Sequence, residues 1–140
     1  MASDIDLFHE LLFYTLAHPS PAFIHQHAVD AFAVQTADDS TKPIAVVFGL
    51  LGLYLHLEFG LTGRQVQQAH MELARFRKPY KMPVLPSERG AITVADVMAA
   101  EAGAERDARI DEWCASVWEA FAICRAETVD LVRRELHIGQ

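Results

Sequence analysis

Small or apolar residues recur at alternating steps of four and three through the C-terminal third of the chain. The positions are Ile110, Cys114, Val117, Phe121, Cys124, Thr128 and Leu131. This heptad-like spacing is typical of one face of an α-helix that is packed in a bundle. It predicts a helix over residues 104–136, which would be roughly 45–50 Å long if straight. Such a length exceeds a compact domain of this size, so we expect the helix to kink, to overhang or to meet a second subunit.

Helix start signals stand along the rest of the chain. Capping boxes, in which Ser or Thr precedes an acidic residue or Gln by three positions, are predicted at Ser3–Asp6, Thr62–Gln65 and Thr93–Asp96. Pro43 and Gly60 bound a very apolar segment, as the first residue of a helix and its C-terminal glycine. Ser20 and Pro21 predict the start of another helix, which ends near Ala37.

The same signals define the fold class. Pro79, Pro83 and Pro86 forbid regular helix in the segment before Thr93. No segment alternates apolar and polar residues as a half-buried strand does. We therefore predict an all-α protein, a helical bundle of about five to six helices with a long C-terminal helix. A single helical domain over residues 1–140 accounts for the length.

Composition excludes several classes of function. The net charge of -7 argues against a broad nucleic-acid surface. The longest apolar run, residues 44–57, is too short to span a bilayer. The two cysteines form no CxxC motif, so neither a disulfide framework nor a zinc site is indicated. The N-terminal residues lack the basic start of a signal peptide, and we expect a cytoplasmic protein.

Histidine and carboxylate side chains concentrate in the second predicted helix, where His25, His27 and Asp30 fall within two turns. Helices joined by short connections pack antiparallel. Folding the second and third helices together places His56 level with the turn of His25. Folding the first and second together places His9 level with Asp30. These side chains are therefore expected in one zone of the bundle.

Two interpretations of this cluster remain open. Inward-facing groups of this kind form a site for a divalent metal, and the candidate ligands are His9, His27, Asp30 and His56. His25 is left out because it lies about 200° from His27 around the helix. Alternatively, His27 and Asp30 only make buried hydrogen bonds. In either case we expect Asp30 to be buried and bonded to a histidine or tryptophan from another helix.

A second cluster is basic and aromatic, and covers residues 75–81 with Arg89 further along. In an acidic protein such a patch suits an anion or the acidic segment of a partner, with Phe76 and Tyr80 as stacking surfaces. A solvated helix end is the alternative, because Lys and Arg near a helix C-terminus complement its dipole.

The cysteines and tryptophans all belong to the predicted C-terminal helix. Cys114 and Cys124 lie on its apolar seam and are predicted core residues rather than nucleophiles. Trp113 and Trp118 face different sides, so one is expected in the core and the other at a dimer contact. We predict a homodimer through this helix or the proline-rich segment, unless residues 79–86 fold back over the seam.

Five segments carry a resemblance: residues 7–12, His25 with residues 29–35, residues 50–55, residues 89–97 and residues 113–121. Together they resemble a functionally uncharacterised bacterial family of small helical proteins. The resemblance implies an all-helical fold and supplies no established activity. The ligand-binding positions that it implies are His25, Asp30, Gln35, Trp118 and Glu119.

These observations predict a function class rather than a reaction. We expect a small non-enzymatic protein that binds a partner protein or a small molecule, as a homodimer, without nucleic acid or membrane. The alternative is a divalent-metal-dependent enzyme with a His/Asp site inside the bundle. No cofactor other than that metal is suggested.

Overall fold

In the computed structural model, which describes residues 3–139, the chain forms seven α-helices and no strand. They are α1 (Asp4–Ala17), α2 (His25–Gln35), α3 (Pro43–Phe59), α4 (Gly63–Ala74), α5 (Val94–Ala99), α6 (Ala104–Ala120) and α7 (Arg125–Leu136). The predicted all-α bundle is confirmed. Its three predicted capping boxes form at the starts of α1, α4 and α5.

The predicted C-terminal helix is divided at Phe121, where the short 3-10 turn Ala122–Cys124 separates α6 from α7. The Phe121 backbone N–H donates to the carbonyls of Val117 and Trp118, at 3.1 and 3.2 Å, and its side chain is fully buried. The two parts are about 25 and 18 Å long. The predicted kink thus raises the helix number to seven and keeps the apolar seam inside one compact chain.

The start of α2 differs from the prediction, because the helix begins at His25 rather than at Pro21. Phe23 has a φ of 48°, in the left-handed region, and its N–H donates to the Ser20 carbonyl in a turn. The N-terminus of α4 docks here so closely that a Cβ on Gly63 would lie 1.8 Å from the Phe23 carbonyl oxygen. This tertiary contact holds the turn and delays the helix.

α3 is the central helix and packs against α2, α4, α6 and α7. Leu50, Leu51 and Leu55 are at most 1% exposed. Gly49 and Gly52 face α2, where a Cβ at either position would clash with α2 atoms. The absence of side chains at these two positions allows the close approach of the two helices that carry most of the predicted site residues.

A segment without helix or strand, residues 78–86, covers part of the seam and is called the strap below. The Cys124 thiol donates to the carbonyl of Val84 in the strap, at 3.2 Å. Tyr80, Met82 and Leu85 pack against the core. The segment therefore folds back over the seam within one chain.

Both tryptophans are buried in the same chain, with 0% of Trp113 and 3% of Trp118 exposed. The prediction that one of them anchors a dimer contact is therefore wrong. The seam is buried within one chain, so it supplies no exposed apolar face for a homodimer. The homodimer stays a prediction without that support.

Candidate functional site

His27 lies in the core, 2% exposed, at the junction of α2, α3 and α6. Its ring stacks on the ring of His56, with centroids 3.5 Å apart and planes at 16°. Its Nε2 is buried and has no hydrogen-bond partner among the described residues. Burial, reinforced by the neighbouring His56, lowers the pKa of His27 to about 4. The ring is therefore neutral at neutral pH.

His56 is held by hydrogen bonds at both ring nitrogens. Nδ1 lies 3.2 Å from the Leu61 carbonyl oxygen, and Nε2 lies 2.9 Å from Oδ1 of Asp111 on α6. Both partners are acceptor oxygens, one from the backbone and one from a carboxylate. The hydrogen bond from His56 lowers the pKa of Asp111. The ring is thus fixed in a plane that suits stacking on His27.

Asp30 is 3% exposed, as predicted, but its partner is not the one predicted. Gln26, one turn earlier on α2, donates to Asp30 Oδ1 at 2.9 Å, so the predicted bond to a histidine or tryptophan from another helix is wrong. The other oxygen, Oδ2, lies against Gly52 and has no hydrogen-bond partner in the described part of the chain. Burial raises the pKa of Asp30 well above its usual range. This shift favours the neutral form of the carboxyl, which lies at the contact of α2 with α3.

The four predicted metal ligands are only partly brought together. His27 and His56 stack, Asp30 faces Gly52, and His9 is exposed on α1. Lone pairs of imidazole lie in the ring plane, so parallel stacked rings direct them side by side rather than at one point. Within residues 3–139, no group of three or more His, Cys, Asp or Glu side chains is arranged to hold a metal ion. A divalent metal here stays a prediction without a formed site.

The positions implied by the family resemblance are scattered over the molecule. His25 Nδ1 lies 2.9 Å from the Thr15 hydroxyl, and burial lowers the pKa of His25. Trp118 is buried and contacts the Tyr54 ring. Glu119 is exposed on α6. A shared role of these residues in one ligand site stays a prediction.

Gln35 joins three parts of the fold. Its Oε1 accepts from Trp113 Nε1 at 2.9 Å, and its Nε2 donates to the carbonyls of Arg89 and Ile92, at 3.1 and 2.7 Å. Arg89 in turn donates to the carbonyls of Gln35 and Ala37 at the end of α2, at 3.1 and 2.9 Å. These contacts give Gln35 a structural task, namely to lock the end of α2 to α6 and to the segment before α5.

Replacing Gln35 with leucine is expected to destabilise the protein by about 1–3 kcal/mol, because the buried Trp113 N–H loses its acceptor. Urea denaturation of Gln35→Leu, of Trp113→Phe and of the variant that carries both substitutions isolates this hydrogen bond. The two substitutions should be coupled by about 1 kcal/mol. Additive costs would show that Gln35 does not act through Trp113.

A partly open cavity of about 370 Å³, called the groove below, lies between α3, α7 and the strap. Apolar side chains from all three elements line it: Val47 and Leu50 from α3, Leu131 from α7, and Pro79 and Pro83 from the strap. Its volume lies within the roughly 300–1,000 Å³ that small-molecule sites occupy in proteins.

Tyr80 is one of the residues that line the groove. Its hydroxyl is buried and lacks a hydrogen-bond partner in the described chain, and burial raises the pKa of Tyr80. The ion pair of Lys78 with Glu135 lies beside it, since both charges influence this hydroxyl. A buried hydroxyl without a partner is uncommon in folded proteins.

Charged side chains surround the groove. The cations are Lys78, Lys81 and Arg134, and the anions are Glu127, Asp130 and Glu135. Lys78 pairs with Glu135, and Arg134 contacts Asp130 at 2.9 Å and Glu135 at 3.6 Å. Among the described residues, no ion pair involves Lys81 or Glu127. The groove thus combines an apolar interior with two rim charges of opposite sign that form no ion pair with residues 3–139.

Sequence reasoning found one side of the groove and missed the other. Lys78, Tyr80 and Lys81 belong to the basic and aromatic cluster that was considered for binding. The contribution of α7 was missed, because residues on a helix surface give no signal of which distant segment covers them. Asp111 was missed for the same reason, whereas Gln26 had a local signal in its spacing of four from Asp30.

The protein is an all-α bundle with a partly open cavity between its central helix, its C-terminal helix and the strap. The chain belongs to a family of unknown function, DUF5946, whose sequence model matches residues 5–122. Neither a curated protein nor a solved structure matches the chain. Across the described helices, α3 included, none is both long and apolar enough to cross a membrane.

Proposed function

We propose that the protein binds a small organic molecule in the groove and does not itself transform it. The observation that carries this proposal is the partly open cavity of about 370 Å³ that apolar side chains of α3, α7 and the strap line together. Small-molecule sites typically combine an apolar lining with a few polar groups that fix orientation.

The placement of the proton carriers supports binding rather than catalysis. The side chains with the most strongly shifted pKa values, His27, Asp30 and Cys114, are buried at the contacts of α2 with its neighbours and do not line the groove. Within the groove, burial raises the pKa of both Tyr80 and Cys124, which keeps these groups protonated. A general base or a thiolate nucleophile needs the opposite shift.

The cysteines support the compartment that the sequence predicts. Cys114 and Cys124 are both free and buried. Free thiols are usual in a reducing compartment, whereas secreted proteins of this size often rely on disulfides. We therefore propose a cytoplasmic location.

The binding proposal is tested with 3-phenyl-1-propanol, a neutral probe with an apolar body and one hydroxyl. In a titration of ¹⁵N-labelled protein followed by NMR, saturable shifts are expected at amides around the groove. The dissociation constant should be on the order of millimolar, as for a ligand of about ten heavy atoms. Saturable shifts confined to other parts of the chain, or none at all, would reject the proposal.

A groove-filling variant gives the matched control. Val47→Trp places a large side chain in the groove and should abolish the shifts, whereas Met71→Trp adds the same side chain at a position that is 69% exposed and outside the groove. Thermal denaturation checks that both variants fold. If Val47→Trp does not fold, Leu131→Phe fills the same groove with a smaller change in volume.

A further inference from the structure

We infer that the ligand of the groove is a zwitterion, a molecule of about amino-acid size with an apolar body, one ammonium group and one carboxylate. This inference rests on the proposed function and adds the chemical class of the ligand. It is drawn from the pattern of charges around the groove and from the size of the cavity.

The balance of charge around the groove does not favour a ligand with net charge. Three cationic and three anionic side chains line it. A site lined by one sign of charge attracts the opposite sign, whereas a balanced rim has no such preference. The preference of the groove for one ligand over another must therefore come from the positions of its individual charged side chains.

Four of the six charges are compensated within the chain. Glu135 pairs with Lys78 and also contacts Arg134, and Arg134 pairs with Asp130. A ligand charge that used one of these groups would have to compete with an existing partner. These pairs are therefore poor binding positions.

Lys81 and Glu127 are the two charges that remain without an ion-pair partner in the part of the chain that is described. Lys81 belongs to the strap and Glu127 to the first turn of α7, so they stand on two different walls of the groove. Both side chains are exposed. A ligand that lies across the groove can place a carboxylate near Lys81 and an ammonium group near Glu127, while both ligand charges stay in contact with water and avoid the cost of burial.

The cavity limits the apolar body of this ligand. A volume of about 370 Å³ is equivalent to roughly a dozen water molecules at about 30 Å³ each. This room suits a body the size of a leucine or phenylalanine side chain, in contact with Val47, Leu50 and Leu131.

Four probes that share a phenyl group test the inference: phenylalanine, phenethylamine, 3-phenylpropanoate and 3-phenyl-1-propanol. NMR titrations of the wild-type protein should show that phenylalanine binds about tenfold more tightly than the neutral alcohol, since two solvent-exposed ion pairs each contribute about threefold. The cation and the anion should fall between them. Phenylalanine binding no tighter than the alcohol would overturn the inference while the proposed function stands, and failure of all four probes would overturn both.

Charge variants then assign the two rim positions. Lys81→Glu leaves two uncompensated carboxylates, so phenethylamine should become the tightest probe. Glu127→Lys leaves two uncompensated ammonium groups, so 3-phenylpropanoate should become the tightest. Arg109→Glu, a charge reversal outside the groove, should keep the wild-type order of the four probes. An unchanged order in both rim variants would overturn the assignment of Lys81 and Glu127.

Discussion

Replacing Gly52 with alanine is expected to destabilise the protein by about 2 kcal/mol, although alanine is the better helix former. The added Cβ would lie 2.0 Å from Asp30 Oδ2 and 3.1 Å from Val66 Cγ1. Asp30 must then move, which strains the core by about 1–3 kcal/mol and breaks its hydrogen bond with Gln26, worth about 1 kcal/mol. The higher helix propensity of alanine offsets up to about 1 kcal/mol of this.

Removing the Asp30 carboxyl tests whether its contact with the new Cβ causes the loss of stability. In an Asp30→Ala background the clash with the carboxyl is gone and only the milder contact with Val66 remains, so Gly52→Ala should cost less than about 1 kcal/mol. Gly49→Ala is the matched control, because its Cβ would meet Val34 Cγ2 at 2.6 Å and not the Asp30 side chain. Its cost should be the same in both backgrounds. Urea denaturation measures all these free energies, and an equal cost of Gly52→Ala with and without the carboxyl would contradict the contact.

Acid should weaken the wild-type protein relative to a His27→Phe variant by up to about 3 kcal/mol between pH 7 and pH 4. The pKa of His27 is about 4 in the folded chain and 6.5 when unperturbed. Below pH 6.5 the unfolded chain takes up a proton on this ring that the folded chain resists, so stability falls as the pH falls toward 4. The two pKa values differ by about 2.5, and each pKa unit is worth about 1.4 kcal/mol. Phenylalanine keeps a ring on His56 but does not titrate.

Asp30 should act in the opposite direction. Its pKa is raised in the folded chain, so its contribution to stability is complete below the unperturbed value of 3.8 and is lost as the pH rises through the folded value. Relative to Asp30→Asn, the wild-type protein should therefore lose stability as the pH rises from 4. Between pH 4 and 6.5 the two groups offset each other. Chemical denaturation across this range should give a flatter profile for the wild type than for either variant, and parallel profiles for all three would contradict both assignments.

Most of the fold could be predicted from the sequence because its helix signals are local. The capping boxes at Ser3, Thr62 and Thr93 need only a hydroxyl and a partner three residues later, and all three form. Pro43 and Gly60 likewise mark the ends of α3. The start of α2 and the break at Phe121 were harder to predict from the sequence, since segments distant in sequence pack against both places.

The candidate site divides in the same way. Heights along antiparallel helices were enough to bring His27 and His56 together, but not to predict that the rings stack. The partner of His56 is Asp111, and 55 positions separate them, so the spacing in sequence carries no information about the contact. The sequence indicated only the basic and aromatic residues of the strap and did not predict a groove, because the other walls of the groove come from α3 and α7.

The break at Phe121 also coincides with the end of the segment that the sequence model of the family matches. The matched segment, residues 5–122, ends within the 3-10 turn, so α7 lies beyond it. The histidine stack and the Gln35 lock are built wholly from the shared segment, whereas Glu127, Leu131 and Glu135 supply one wall of the groove from outside it. Substitutions on the exposed side of α7 can therefore alter this wall of the groove without touching the histidine stack or the Gln35 lock, whereas Leu131 and Val132 of α7 also belong to the core.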